Sequence, residues 1–134
     1  MQITRQADYA IRAVRYLAKQ EPNQRSATST VAKEMKIPPS FLAKIISQLS
    51  IAGLLHTSRG ARGGVTLARA PGDISLLDVV EAIDGPILLN ECVGDPANCD
   101  FSDDCLVHPI WKEVQESLVK SLSETRFDQL SSKN

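Results

Sequence analysis

The fold is decided by residues 29–69, which read STVAKEMKIPPSFLAKIISQLSIAGLLHTSRGARGGVTLAR. Apolar residues at helical spacing predict a short helix over 29–35 and a longer helix over about 39–52. Two short runs, 54–58 and 65–69, are compatible with strands joined by a glycine-rich tip. Helix, turn, helix and basic hairpin, in this order, predict a winged helix-turn-helix.

The longer helix has one apolar face and one small polar face. The predicted buried stripe is Phe41, Leu42, Ile45, Ile46 and Leu49. A DNA major groove about 12 Å wide admits one helix, so the opposite face would meet base edges. The side chains on that face are Ser40, Ala43, Lys44, Ser47 and Gln48. Lys44 suits phosphate or guanine, Gln48 suits adenine, and Ala43 suits only a thymine methyl group. An ordinary solvated helix face is the alternative.

The tip of the hairpin is basic and rich in glycine. Arg59 and Arg62 can enter a narrow minor groove, whose negative potential attracts guanidinium groups. Gly63 and Gly64 would let the backbone approach phosphate without a Cβ clash. The alternative is an ordinary turn that carries two exposed arginines.

Hydroxyl side chains stand at the starts of two predicted helices. Thr28 and Ser29 can donate to DNA phosphate, or they can simply cap the helix over 29–35. Thr4 is the predicted N-cap of an amphipathic helix over 5–20.

Pro71-Gly72 marks a predicted boundary between a DNA-binding region, residues 1–70, and a second region, residues 71–134. Ser75 with Asp78 predicts a capping box at the start of a helix that ends at Gly85-Pro86. Residues 87–107 are predicted to form an irregular acidic loop.

A second helix of this region is expected to begin near Pro109, which suits a first helical turn. Its predicted apolar seam is Ile110, Val114 and Leu118. The last ten residues are mostly polar, and we expect them to fray.

Composition and charge limit the class of protein. The 134 residues are 43% hydrophobic and 23% charged, which is typical of a globular chain. Residues 1–70 carry 11 basic and 3 acidic side chains, which give a net charge of +8. Residues 71–134 carry 4 basic and 13 acidic side chains, which give a net charge of −9. A basic part joined to an acidic part is typical of a nucleic-acid binder with a separate sensing or assembly part. No apolar run is long enough to span a bilayer, so we expect no membrane partner and a cytoplasmic location.

Cys92, Cys99 and Cys105 lie within 14 residues of one another, and His108 follows three positions later. Thiolate and imidazole groups are ligands for iron–sulfur clusters and for zinc. The spacing lacks the Cys-x-x-Cys pair that is common in structural zinc sites. An iron–sulfur cluster, a zinc ion and unliganded redox thiols all remain open, and His108 could be an ordinary residue at a helix start.

Several stretches of the chain resemble the IscR/NsrR family of bacterial winged-helix regulators. The resemblance covers nearly the whole chain and combines the wing with the cysteines. It is carried by Met1-Gln2-Ile3-Thr4, Asp8-Tyr9-Ala10-Ile11-Arg12-Ala13, residues 41–49, Ala52-Gly53-Leu54, Ser58-Arg59-Gly60, Gly63-Gly64, the three cysteines, Leu106-Val107-His108 and Trp111.

The resemblance implies a homodimer that binds palindromic double-stranded promoter DNA, with a C-terminal dimerisation helix crossing between subunits. It also implies an iron–sulfur cluster whose state controls DNA affinity. The IscR-like ligand set, for a 2Fe-2S cluster, maps onto Cys92, Cys99, Cys105 and His108. The NsrR-like set, for a 4Fe-4S cluster, replaces the histidine with Asp8 of the partner subunit. We favour 2Fe-2S with His108, because imidazole matches a cluster iron better than a carboxylate does. From the residues alone, Asp8 could instead pair with Arg12 at i,i+4 spacing.

The sequence thus predicts a mainly α winged helix-turn-helix regulator that senses iron–sulfur status, nitric oxide or redox state. The alternative is a metal-free regulator whose thiols respond to redox state. The sequence contains no nucleophile–base pair, no phosphate-binding P-loop and no metal-hydrolase motif, so we expect neither enzymatic activity nor a small-molecule substrate.

Overall fold

The structure is a computed structural model that describes residues 2–61, 63–95, 97, 101 and 104–131. It is mainly helical, and its two strands form one antiparallel sheet. The helices are α1 (Arg5–Ala18), α2 (Thr28–Met35), α3 (Pro39–Ile51), α4 (Leu76–Asp84), α5 (Glu91–Gly94), α6 (His108–Glu124) and α7 (Phe127–Ser131). The strands are β1 (Leu55–Ser58) and β2 (Gly64–Leu67), and Pro71–Asp73 forms a 3-10 turn. The mainly α fold with a winged helix-turn-helix is confirmed.

Helix α1 forms the centre of the core. Thr4 caps it as predicted, because its hydroxyl oxygen accepts a hydrogen bond from the Ala7 amide at 3.1 Å. Ala7, Ala10 and Val14 are fully buried along one side of the helix. Small side chains let other helices approach closely, and α2, α3, α4 and α7 all pack against α1. The helix ends two residues before the predicted Gln20.

Helices α2 and α3 are joined by a tight left-handed turn. Lys36 has φ +54°, and the Ile37 amide donates to the Ala32 carbonyl at 2.9 Å, so the chain reverses in very few residues. Pro39 occupies the first turn of α3, where its missing N–H costs nothing.

The predicted buried stripe of α3 is correct except at one position. Leu42, Ile45, Ile46 and Leu49 are buried, whereas Phe41 is 42% exposed. The Phe41 ring lies at the edge of the apolar face and contacts Tyr9 edge-on, with 6.0 Å between ring centroids.

The hairpin of β1 and β2 is the wing. Its register pairs Leu55 with Leu67 and Ser58 with Gly64. Ser26, which precedes α2, adds a bridge to Val65 through two backbone hydrogen bonds of 2.8 and 3.0 Å. The wing is therefore tied to the segment that leads into the helix-turn-helix.

Helix α4 begins with the predicted capping box. The Asp78 amide donates to the Ser75 hydroxyl at 3.0 Å, and the Ser75 amide donates to the Asp78 carboxylate at 2.9 Å. The following loop is less irregular than predicted. The Asn90 side chain caps α5, a single helical turn that carries Cys92.

The prediction that the last ten residues fray is wrong for 125–131. Phe127 is fully buried in the core cluster, and its amide donates to the Ile74 carbonyl at 3.1 Å. The Leu76 amide donates to the Thr125 carbonyl at 2.8 Å. The chain after α6 thus returns to α1, and both sides of Pro71-Gly72 share one core. That residues 1–70 bind DNA and that residues 71–134 carry the dimerisation helix and the cysteine loop stays a prediction.

Candidate DNA-binding face and cysteine loop

The start of α2 and the base of the wing face each other. Thr28 and Ser29 line one side of an open cleft of about 280 Å³, and Gly63 and Gly64 line the other. The structure therefore brings together four residues that the sequence assigned to phosphate contact. Arg59 is exposed at the wing tip, while Arg62 lies outside the described residues.

The capping alternative for Thr28 and Ser29 is wrong. The N-cap of α2 is Ala27, and no side chain makes a capping hydrogen bond there. Both hydroxyl side chains are exposed at the positive end of the helix dipole. That end of a helix is a favourable place for an anion such as a phosphate.

Gly64 has a packing role that the sequence did not reveal. Its φ is +147°, and a Cβ added there would lie 2.6 Å from the Ser26 carbonyl oxygen. Only glycine allows this close approach of the wing to the segment before α2.

The outward face of α3 presents few hydrogen-bonding groups. Ser40, Ala43 and Lys44 are exposed as predicted, and Lys44 forms no ion pair with any residue in the described part of the chain. Gln48 differs, because it is half-buried and its Oε1 is buried without a partner among the described residues. An adenine edge needs both the oxygen and the nitrogen of the amide, so this position does not favour adenine reading.

Asp8 forms the ion pair that its spacing allows. Its carboxylate lies 2.9 Å from the Arg12 guanidinium, and both side chains are about half exposed. The same guanidinium lies 5.2 Å from the centroid of the Tyr9 ring. The role of Asp8 as a cluster ligand stays a prediction.

The cysteine loop is described only in part. Cys92 is buried in α5, and Cys105 is half-buried; both are free thiols. Cys99 lies outside the described residues. Across the residues that are described, no three His, Cys, Asp or Glu side chains come together as a possible metal site.

His108 is the first residue of α6, and its Nδ1 is buried with no hydrogen-bond partner among the described residues. A buried ring nitrogen without a partner is an unfavourable arrangement unless something else binds it. This observation fits a metal-ligand role for His108, and the soft thiolates of the same loop fit an iron–sulfur group.

Two hydrogen bonds between elements distant in sequence, one of them from the cysteine loop, had no sequence signal. The Thr4 hydroxyl donates to the Asp84 carboxylate at 2.6 Å, which joins the start of α1 to the end of α4. The Leu89 amide donates to the Gln115 side chain at 2.9 Å, which joins the start of the loop to α6. Both pairs are distant in sequence, so helical spacing could not reveal them.

Helix α6 has an apolar face that the described chain does not cover. None of its residues is buried, and Ile110 and Val114 of the predicted seam are each about half exposed. Leu106, just before the helix, is 90% exposed. Contiguous apolar surface of this kind marks an interaction site. Among the described residues, no helix is long and apolar enough to cross a bilayer.

The chain is similar to known transcriptional regulators along almost its whole length. It is 30% identical over 125 residues to the HTH-type transcriptional regulator NsrR of Shouchella clausii, covering 92% of this chain and 84% of that protein. It is 27% identical over 130 residues to the HTH-type transcriptional regulator IscR of Xenorhabdus nematophila, covering 97% and 79%.

A solved structure agrees with this relationship. CymR, the global cysteine regulator of B. subtilis, superposes with a TM-score of 0.79 at 25% identity, covering 98% of this chain and 97% of that one. Residues 3–133 match the Rrf2 family, which is described as iron-dependent transcriptional regulators. Since this match spans nearly all of the 134 residues, the chain belongs to the Rrf2 family of transcriptional regulators.

Proposed function

We propose that this regulator binds double-stranded promoter DNA as a homodimer through α2, α3 and the wing. The observation that carries the proposal is the cleft in which Thr28 and Ser29 face Gly63 and Gly64. A phosphate at this cleft would meet exposed hydroxyl groups, the positive end of α2 and a glycine backbone. Helix α3 would then enter the adjacent major groove with Ser40 and Lys44 towards the base edges.

Electrostatics support the same orientation. Residues 1–70 carry a net charge of +8, and Lys44 and Arg59 are exposed on α3 and the wing tip. Each phosphate neutralised by such a side chain releases condensed counterions, so binding should weaken steeply as salt is raised. In the dimer, the two α3 helices would have to match a half-site spacing of about 34 Å.

Arg59→Ala tests the DNA-binding face. On an operator selected from random DNA by the full-length protein, we expect weaker binding and a salt slope reduced by about 1 in the log–log plot. The measurement is fluorescence anisotropy between about 50 and 200 mM salt. Lys120→Ala, which removes an exposed charge from α6 instead, serves as the matched control. An Arg59→Ala slope equal to that of the control would remove Arg59 from the interface.

We further propose that DNA affinity is controlled by an iron–sulfur cluster held by Cys92, Cys99, Cys105 and His108. Two observations support this ligand set: His108 Nδ1 is buried with no hydrogen-bond partner among the residues that the structure describes, and the thiols of Cys92 and Cys105 are free. A 2Fe-2S cluster is favoured with the histidine, and a 4Fe-4S cluster with Asp8 of the partner subunit is the alternative. When bound, such a cluster would supply metal–sulfur bonds that react with nitric oxide and oxidants.

In this proposal the protein couples the cysteine loop to α6, the predicted dimerisation helix. Helix α5, which carries Cys92, packs on α6, and the Leu89–Gln115 hydrogen bond ties the loop start to the same helix. An ordered loop would hold α6 in one position, and a released loop would change the separation of the two α3 helices. A change of about 1.4 kcal/mol in binding alters DNA affinity tenfold, so a small shift suffices.

Single cysteine variants test the cluster. Cys92→Ala, Cys99→Ala and Cys105→Ala should each abolish the visible absorbance and the iron and sulfide content of protein purified without oxygen. His56→Ala, which changes an exposed residue of β1, should leave the visible absorbance, the iron content and the sulfide content unchanged. His108→Ala and Asp8→Ala, compared by absorbance and Mössbauer spectra, distinguish the two fourth ligands. Full absorbance in all three cysteine variants would refute the assignment.

A metal-free thiol switch is the second candidate. The similarity to a regulator named for cysteine and the partial exposure of the free Cys105 thiol favour it. Under this hypothesis the iron-free, colourless protein binds its operator at full strength and loses binding only after oxidation. The anoxic spectrum and a binding assay on the same sample therefore separate the two candidates.

A further inference from the structure

We propose that the groove between α2 and α3 is the site at which this protein reads the 5-methyl group of thymine in its operator. The groove has a volume of about 550 Å³ and lies beside the cleft between α2 and the wing, with which it shares Thr28 and Ser29. The inference rests on the proposed DNA-binding function and adds the chemical feature that is recognised.

The groove has an apolar floor and an exposed rim. Its floor is formed by Ala32, Ile37, Leu42 and Ile46, all of which are buried. Its rim includes Pro39, Ala43 and Lys33, all of which are exposed. The lining contains no acidic side chain, and Lys33 on the rim is complementary to the charge of DNA. These features favour an apolar group attached to an anionic polymer.

The composition of α3 leaves methyl contact as a main source of base discrimination. The helix contains no arginine or asparagine, and the Gln48 oxygen is buried. Adenine reading is therefore poorly served, and Lys44 is the one side chain of this helix that suits guanine. Ala43 stands one residue before Lys44 on the outward face and forms part of the groove rim. In the major groove only thymine presents an apolar group, its 5-methyl.

Deoxyuridine substitution tests the proposal, because it removes only the methyl group and keeps the base pair. Each thymine of the selected operator is replaced in turn, and binding by the full-length protein is measured. Burial of one methyl group corresponds to about 0.8 kcal/mol, which is about fourfold in affinity. We expect this loss at one or two thymines in each half-site. No loss at any thymine would overturn the proposal while leaving DNA binding intact.

A protein variant assigns the methyl group to this groove. Ala43→Ser places a hydroxyl on the rim, and we expect the deoxyuridine penalty at the sensitive thymine to fall below twofold. Ile51→Ala, which trims an exposed apolar residue of α3 outside the groove lining, should keep the full penalty. An unchanged penalty in Ala43→Ser would contradict the assignment.

A second DNA probe is independent of any protein variant. With the sensitive thymine changed to cytosine, 5-methylcytosine should bind about fourfold more tightly than cytosine at that position. Equal affinities would overturn the proposal. If the protein selects no DNA sequence at all, both the proposed function and this inference fail.

Discussion

At the scale of single residues, the sequence predicts those side-chain contacts that are made within one helical turn. Thr4 and the pair Ser75 and Asp78 occupy the caps that the sequence predicted, because a cap depends on residues within one helical turn. The Gln48 amide and the Asp84 carboxylate could not be placed in this way. Their surroundings are set by other elements that pack against α3 and α1, and these contacts are made only in the folded chain.

Thr4→Ala removes a hydroxyl that makes two hydrogen bonds. The hydroxyl oxygen accepts from the Ala7 amide, and the O–H group donates to the Asp84 carboxylate, so the variant removes the cap of α1 and its hydrogen bond to α4. The bond to Asp84 is exposed and the bond to the Ala7 amide is part-buried, so we expect the loss typical of a helix cap, about 1–2 kcal/mol in the free energy of unfolding. Urea denaturation at fixed protein concentration measures it.

Two variants control for the Thr4 experiment. Thr4→Ser retains the hydroxyl and should stay close to the wild type. Thr57→Ala removes an exposed threonine from β1 and should change stability by less than about 0.5 kcal/mol. A Thr4→Ala loss as small as that of Thr57→Ala would mean that the cap contributes nothing measurable.

At the scale of elements, the strongly periodic helices and the glycine-rich wing were predictable, and the short helices α5 and α7 were not. Helix α7 has too few residues for a periodic signal, and its sequence is polar apart from Phe127 and Leu130. It is stable because Phe127 enters the core beside α1 and because backbone hydrogen bonds join Thr125 to the first residue of α4 and Phe127 to Ile74 just before it. Tertiary packing therefore overrides local propensity at the end of the chain.

Phe127→Ala should be among the most destabilising single changes in this chain. The ring is fully buried, so its removal leaves a cavity in the core, and we expect a loss of about 3–5 kcal/mol. Phe101→Ala is the matched control, because that ring is 75% exposed, and it should cost less than about 0.5 kcal/mol. Equal effects of the two variants in urea denaturation would show that α7 does not belong to the folding unit.

At the scale of the whole molecule, the charge divides the chain into two parts, whereas the hydrophobic core joins them. The charge changes sign near residue 70, yet the core cluster contains Ile74, Val79 and Phe127 together with α1 and α3. Among the helices α1 to α7, α6 is the one with no buried residue in the described part of the chain. The basic and acidic parts thus share one hydrophobic core, and α6 is the helix whose apolar face still needs a partner. A second copy of this chain is the partner that the proposed function requires.

Val114→Asp tests whether α6 holds two copies together. Val114 lies between Ile110 and Leu118 on one side of the helix, so a carboxylate there would be buried without a partner in a dimer. We expect sedimentation velocity to show a monomer at micromolar concentration. Lys112→Asp introduces the same side chain on the opposite side of α6, and it should remain dimeric. A monomer carries one DNA-binding α3 helix instead of two. Val114→Asp should therefore also bind the palindromic operator with about half the wild-type salt slope. A variant that stays dimeric and keeps the full slope would show that another surface joins the subunits.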